Sequence, residues 1–362
     1  MALRRSALHP VAAATGAAFQ ERHGWDLATV YSTVEEEYLA LTTAAGVHDA
    51  SYTGRLRAIG ADGLDLLNRL STNKVLDLQP GQGAPTILTT ARGRILDLIG
   101  VVNVDDYILL ITSPGAQQQV IDWLDKYTIM EDLVVEDITG ESTMLSVLGP
   151  ASKAAVESAA GTSLNELPPY HSVTAEMAGH QVRIVNRPFG GLPSFDLLMD
   201  PDASAGVWDH LSKSGVPPVG EEALEAVRLS YAVPAYGHEL GESYNPLEAG
   251  LIGSIDFAKG CYIGQEVIAR LDTYQKIQKH LVRLEFSADA TVSEGDTLND
   301  DGHDVGKVTS VTKLPNGLGL VGMAYVRKAS ASPGNVLELA DPSRGQAEIT
   351  ALPHLFGPDK IS

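Results

Sequence analysis

The sequence predicts an α+β protein: two tandem strand–helix modules and a small C-terminal β-domain. Three observations carry this. Residues ~45–140 read as β-α-β-β-α-β, the order of a ferredoxin-like unit with an antiparallel sheet. A similar order of strand, helix, strand pair and helix recurs from STMLSVLG to ASAGVWDHLSKSG. After about residue 275 the texture turns to short strands broken by Gly, Asn and Pro, with little helix, as in a small β-barrel. A chain of 362 residues exceeds one hydrophobic core. The expected divisions are 1–140, 141–275 and 276–362.

Each element has its own signal. STVEEEYLALTTAAGV opens with a capping box in which Ser32 caps and Glu35 reaches back. Val34, Tyr38, Leu41 and Ala45 then follow at helical spacing, and Gly46 stops the helix. GRLRAIG alternates as a half-buried strand. GADGLDLLNRLSTNKV is helical, with Leu64, Leu67 and Leu70 on one face. TILTTARGRILDLIGVVNVDDYILLIT gives three strands with turns at Ala91–Gly93 and Asp105–Asp106. SPGAQQQVIDWLDKY is a helix with Pro near its first turn, and LVVEDITG returns to strand. In the second module STMLSVLG is strand, SKAAVESAA helix, QVRIVNRPFGGLPSFDLLM a strand pair and ASAGVWDHLSKSG helix. GEEALEAVRLSYAVP is a further amphipathic helix. HLVRLEF, HDVGKVTSVTKL, GLGLVGMAYV and NVLELA are the strands of the C-terminal domain.

Composition removes several function classes. The net charge is −20 and the pI near 4.8, so direct nucleic-acid binding, which needs clustered basic side chains, is not expected. The single cysteine permits no intrachain disulfide, no four-cysteine zinc site and no iron–sulfur cluster held by this chain's thiolates alone. No metal site is expected, and no segment reaches the ~18 apolar residues of a membrane helix. The opening MALRRSALHPVAAATGAAF is interrupted by His9, Pro10 and Gly16; it is read as mature protein, with the cytoplasm as the expected location.

The single cysteine sits in KGCYIGQE, residues 259 to 266, before the helix-like EVIARLDTYQK. Lys259 and a helix N-terminus favour a thiolate at Cys261, while Glu266 opposes it. Packing, a mixed disulfide and one ligand to a cluster shared with a partner are all open for it. Gln265 and Glu266 can equally bond backbone amides around the Lys259–Gly260 turn.

Several segments, in order and over nearly the whole chain, resemble the folate-binding T-protein (aminomethyltransferase) family. HGW, AAGVHDAS, the LSTN segment, GRILDL, VRLSYAVPAYGHEL and NPLEAGL carry the likeness, with VGKVTSV and AYV in the C-terminal part. The resemblance implies tandem ferredoxin-like modules around a central folate cavity, tetrahydrofolate as the cofactor, and a barrel closing one side. It implies that Asp97 contacts the pterin side and serves catalysis, which suits a carboxylate that stabilises an iminium-like cation or moves a proton. Asp196 stands where the family reads the pterin's N–H donors with a glutamate. Arg228 matches the arginine that holds the folate's glutamate tail, a task suited to a guanidinium fork. The bland alternative for Arg228 is a helix pair with Glu225. Tyr236 lines the cavity; Tyr52 and Asn73 are weaker candidates.

KGCYIGQE, with Lys259, Gly260, Cys261, Tyr262, Gly264, Gln265, Glu266 and then Arg270, is similar to the YgfZ-type branch. Glycine-cleavage T-proteins carry KGDFIGRE there. Leu98 replaces the family's second aspartate, and Gly253 falls where T-proteins often have Trp. The branch implies a tetrahydrofolate-binding accessory protein for iron–sulfur cluster assembly or repair, with effects on cluster enzymes such as tRNA-modifying ones and with assembly or client proteins as partners. Cys261 is its candidate reactive residue. The rival expectation is a true aminomethyltransferase of the glycine cleavage system. A third is a docking scaffold, supported if Lys259, Cys261 and Arg270 share one exposed patch.

Overall fold

A computed structural model describes residues 3–353. The described residues form two compact units. The first comprises those of Met1–Asn68, Lys74–Thr86 and Ile99–Val227; the second, those of Arg69–Asn73, Ile87–Leu98 and Arg228–Ser362.

The first unit begins with a short helix, α1 (His9–Ala14), and a hairpin of β1 (Ala18–Arg22) and β2 (Trp25–Val30). Helix α2 (Val34–Thr43) follows. Its cap is Thr33, not Ser32: Thr33 has extended backbone, and its hydroxyl accepts from the Glu36 amide at 3.2 Å. The reaching glutamate is Glu37, not Glu35. Its buried carboxylate accepts from the amides of Tyr31, Ser32 and Gly220 at 2.6, 2.8 and 2.7 Å. The signature is thus displaced along the chain because the extended residue, not the first hydroxyl, starts the helix.

Strand β3 (Gly46–Asp49) leads to β4 (Gly54–Ile59), α3 (Gly63–Leu70), β5 (Gly83–Thr89), β6 (Ile95–Asn103), β7 (Ile108–Thr112), α4 (Gln117–Tyr127) and β8 (Val134–Asp137). Strand β9 (Thr143–Leu148), α5 (Ser152–Ala160), β10 (Ser172–Met177), β11 (His180–Asn186), β12 (Ser194–Met199), α6 (Pro201–Lys213) and α7 (Glu221–Ser230) complete the run. One sheet has the order β5-β6-β7-β4-β8 and the other β10-β11-β12-β9-β3. In the first, β4-α3-β6-β7-α4-β8 is a ferredoxin-like unit, with β5 added at one edge. In the second, β9, β11 and β12 occupy the corresponding places, and the fourth is filled by β3 from far upstream. Val102, Leu109 and Ile111 of one sheet share a core with Met144, Val185 and Leu198 of the other.

The alternation read in GRLRAIG fails at Arg55, which is fully buried on β4. Its guanidinium donates to the carbonyls of Ser51, Thr53, Thr139 and Ser142, and burial lowers its pKa to about 10. A polar residue at a core position survives only with its donors satisfied in this way.

In the second unit, α8 (Gln265–Thr273) precedes β13 (Lys279–Phe286), β14 (Thr297–Asp300), β15 (His303–Lys313), β16 (Leu320–Arg327), β17 (Val336–Leu339) and β18 (Gln346–Ala351). These six strands close into a barrel in the order β13-β16-β15-β14-β17-β18, as the C-terminal texture predicts. Val282, Leu284, Leu298, Val326, Leu337 and Ile349 fill its interior. No helix among the described residues is long and apolar enough to cross a membrane.

Candidate active site

In the second unit, the tip of the β5–β6 hairpin brings Asp97 to a fully buried position on β6. The alternation of β6 turns its side chain inward with Ile95, and Leu98, the next residue, is only half-buried. Tyr236 lies near: burial, then the charges of Asp97 and Glu242, raise the pKa of its phenol. Two of the expected site residues are therefore together.

Arg228 is buried, and Glu239 is among its partners. Nη1 donates to the Val233 carbonyl at 2.7 Å and to Oε2 of Glu239 at 3.0 Å. Glu239 is wholly buried and fully used. Oε2 also accepts from the Ala235 amide at 3.0 Å, and Oε1 accepts from the hydroxyls of Thr309 and Ser310, both at 2.6 Å, on barrel strand β15. Glu239 closes the Tyr236–Glu239 turn onto the barrel and places the guanidinium. Nothing local in the sequence marked it, since the hydroxyls that hold its Oε1 come from about seventy residues downstream.

The KGCYIGQE segment divides into anchors and exposed positions. Lys259 is half-buried, and its ammonium donates to the carbonyls of Ser71 and Asn73 at 2.8 and 2.7 Å. Burial lowers its pKa to about 8, partly countered by Asp256. Tyr262 is buried, with the Lys259 ammonium 5.3 Å from its ring, and burial raises its phenol to about 12. Thr89 donates to the Ile263 carbonyl at 2.6 Å. Gly264 caps α8 at φ +86°; a Cβ there would lie 2.7 Å from the Thr90 carbonyl oxygen. That close approach requires glycine. Cys261, Gly260, Glu266 and Arg270 are exposed, and Gln265 is half-buried as the first residue of α8. Lys259 is thus tied to backbone and half-buried, so it does not form with Cys261 and Arg270 the exposed patch that would support the scaffold reading.

Asp196 lies in the first unit, on β12, and is fully buried. It accepts from the Ser146 hydroxyl at 2.6 Å and from Nε of Arg187. Burial works against the charge on Arg187, but Asp196 outweighs it and the arginine's pKa rises.

A second polar group in the first unit escaped the sequence reading. His48, on β3, is buried with Nε2 3.0 Å from Oε1 of Glu221 and Nδ1 3.1 Å from the Val219 carbonyl. Burial opposes the imidazolium, but Glu221 and the Val219 carbonyl outweigh it and raise the pKa. Burial likewise opposes the Glu221 carboxylate, whose pKa is lowered by His48, Tyr52 and Arg22. Tyr52 is buried against this pair. A small pocket adjoins His48 and Glu221. In the sequence, His48 and Glu221 are too far apart to signal a pair.

Known proteins resemble this chain along its length. A chloroplastic protein of Arabidopsis thaliana that carries a transferase name is 33% identical over 334 residues, 89% of this chain and 74% of that protein. An aminomethyltransferase of Halothermothrix orenii is 26% identical over 98% of this chain and all of its own. The glycine cleavage system aminomethyltransferase T of Bartonella henselae has the same fold, with a TM-score of 0.86, 22% identity and 98% of each chain covered. These relatives correct the expectation of an accessory protein for iron–sulfur clusters: the names they carry are those of transferases, which favour the rival expectation. KGCYIGQE pointed elsewhere because a motif of eight residues was weighted above the rest of the chain. Residues 8–259 match the model of the GCVT N-terminal domain, and the chain belongs to that family, whose aminomethyltransferases use tetrahydrofolate.

Proposed function

We propose that this chain is a tetrahydrofolate-dependent aminomethyltransferase. The observation that supports it best is the buried Asp97 carboxylate beside the Tyr236 phenol, on a segment that the family match spans. A carboxylate held away from water interacts strongly with a nearby cation and moves a proton over a short distance. Asp97 holds or takes the proton at the reacting amine. The donor chemistry of folate fits: the buried Asp97 carboxylate suits the amino or ring N–H groups of a pterin. Arg228 suits the tail carboxylate, a task for a guanidinium fork. Tetrahydrofolate, when bound, supplies the amine nitrogens that take up the one-carbon unit. We infer that KGCYIGQE, which keeps the YgfZ-type pattern, marks a branch of the superfamily without changing the class of reaction. Its anchors, Lys259, Tyr262 and Gly264, hold the loop of residues 69–73 and the hairpin tip that carries Asp97.

The test is release of ammonia and methylene-tetrahydrofolate from an aminomethyl-loaded lipoyl carrier, with Asp97→Asn as the control. Turnover by the wild type and a loss of ~10²-fold or more in the variant, the scale of a positioned acid–base group, support the reading. Calorimetry with tetrahydrofolate that yields no heat for the wild type overturns it.

A further inference from the structure

Strand β8 ends the β5-β6-β7-β4-β8 order, so among the described residues one of its sides carries no neighbouring strand. Its other side pairs with β4, with Glu136 opposite Arg57 and Val134 opposite Ile59. The Ile138 amide donates to the Arg55 carbonyl. By the alternation of an antiparallel ladder, the Glu136 and Val134 amides then also face β4, and those of Val135 and Asp137 face outward. The loop that feeds β8 displays two large apolar side chains to water, Ile129 at 83% exposure and Met130 at 94%. Val134 and Ile59, opposite one another, add 59% and 44%. The loop is held in place. The Glu131 carboxylate accepts from the amides of both Ile129 and Met130 at 2.9 and 3.1 Å, the Asp132 carboxylate accepts from the Ala61 amide, and the Asp62 carboxylate accepts from the Asp132 amide. Apolar side chains kept exposed on a fixed loop beside an open strand edge mark an interaction surface.

Charge selects the occupant. Residues 129–137, IMEDLVVED, contain four acids and no base. The neighbouring base on β4, Arg57, is already paired with Glu136 and Glu141. A second copy would set acid against acid across the new ladder. We propose that β8 takes up an extended segment of another protein, rich in lysine or arginine alternating with aliphatic residues, as an added strand. The segment's backbone pairs with Val135 and Asp137, its aliphatic side chains meet Met130, Ile129 and Val134 on one face, and its cations meet Asp137 on the other.

The probe is a fluorescein-labelled ten-residue peptide of alternating lysine and valine, titrated by anisotropy against the full chain. A cationic peptide is attracted to any protein of net charge −20, so the decisive variants preserve charge. Val135→Pro removes an outward donor and no inner ladder bond, as an edge strand tolerates. Ile129→Ser/Met130→Ser removes the apolar contact and leaves the strand intact. Each weakens binding by about tenfold, the scale of one good contact, and the peptide protects the Val135 and Asp137 amides from hydrogen exchange. Equal affinity for wild type and the serine double variant overturns the proposal in favour of diffuse attraction. A dimer seen by sedimentation that Val135→Pro dissociates overturns it in favour of a second copy.

Discussion

Replacing Glu239 separates its role from that of Arg228. Glu239→Ala removes the acceptor for Nη1 of Arg228, the Ala235 amide and the Thr309 and Ser310 hydroxyls at once. The hydroxyls can turn, and Thr309 already lies 3.0 Å from the Met323 carbonyl. The guanidinium cannot; its side chain is 9% exposed. Breaking one partner of a buried ion pair costs about 3–5 kcal/mol. Glu239→Gln keeps an oxygen for Arg228 and Ala235 and turns its amide toward the hydroxyls, which accept. Only the charge is lost, about 2 kcal/mol. For a cooperative unit of this size, ~2–4 °C is lost per kcal/mol. Calorimetric melting should therefore place Glu239→Ala about 6–20 °C below wild type and Glu239→Gln about 4–8 °C below. Adding Arg228→Met to Glu239→Ala should recover about 2–3 kcal/mol, because the stranded charge is then gone. Melting of Glu239→Ala within ~2 °C of wild type refutes the reasoning, since no buried cation would then depend on this carboxylate.

Three further outcomes follow from the geometry. The His48–Glu221 pair stabilises a window of pH. His48 has a raised pKa, so its contribution is complete below 6.5 and fades as pH rises through the folded value; Glu221 has a lowered one, so its contribution is complete above 4.5 and fades as pH falls through the folded value. Denaturation of His48→Phe across pH 4 to 9 should flatten both limbs, and unchanged limbs count against the pair. Lys259, lowered to about 8, should be acetylated in competitive labelling with a midpoint near pH 8; labelling only alongside the bulk lysines, near ~10.4, contradicts this. Gly264→Ala should cost about 2–4 kcal/mol by chemical denaturation, from the left-handed backbone and the approach to Thr90. The exposed Cys261→Ala should stay within about 0.5 kcal/mol, and a larger loss would show that the thiol is packed.

The barrel and the strand–helix alternation were legible because they depend on local periodicity and turn residues. HLVRLEF and GLGLVGMAYV became β13 and β16 because apolar positions on one face fill a closed barrel. The capping of α2 was legible in kind but displaced by one residue or more, since Ser32, Thr33, Glu35, Glu36 and Glu37 offer several equivalent boxes and backbone geometry selects among them. Asp97 and Tyr236 were found through family resemblance, which records three-dimensional neighbours that spacing does not. Arg228 was found but its partner was missed, because Glu239 is reached around a turn. His48 and Glu221 were missed for the same reason at greater range, and Arg55 because a strand arginine ordinarily reaches water. The functional class was misjudged where one conspicuous thiol outweighed the many weaker likenesses elsewhere.

Strand β3 carries a consequence for how the chain comes into being. Gly46–Asp49 leaves the ribosome roughly ninety residues before Thr143, the first residue of the strand it pairs with, so the loop to be closed is long. During synthesis β3 therefore waits for β9, its partner in the second sheet. Until then the apolar Val47 has no cover, and this interval exposes it to association. A fragment ending at residue 140 would stay in that condition permanently.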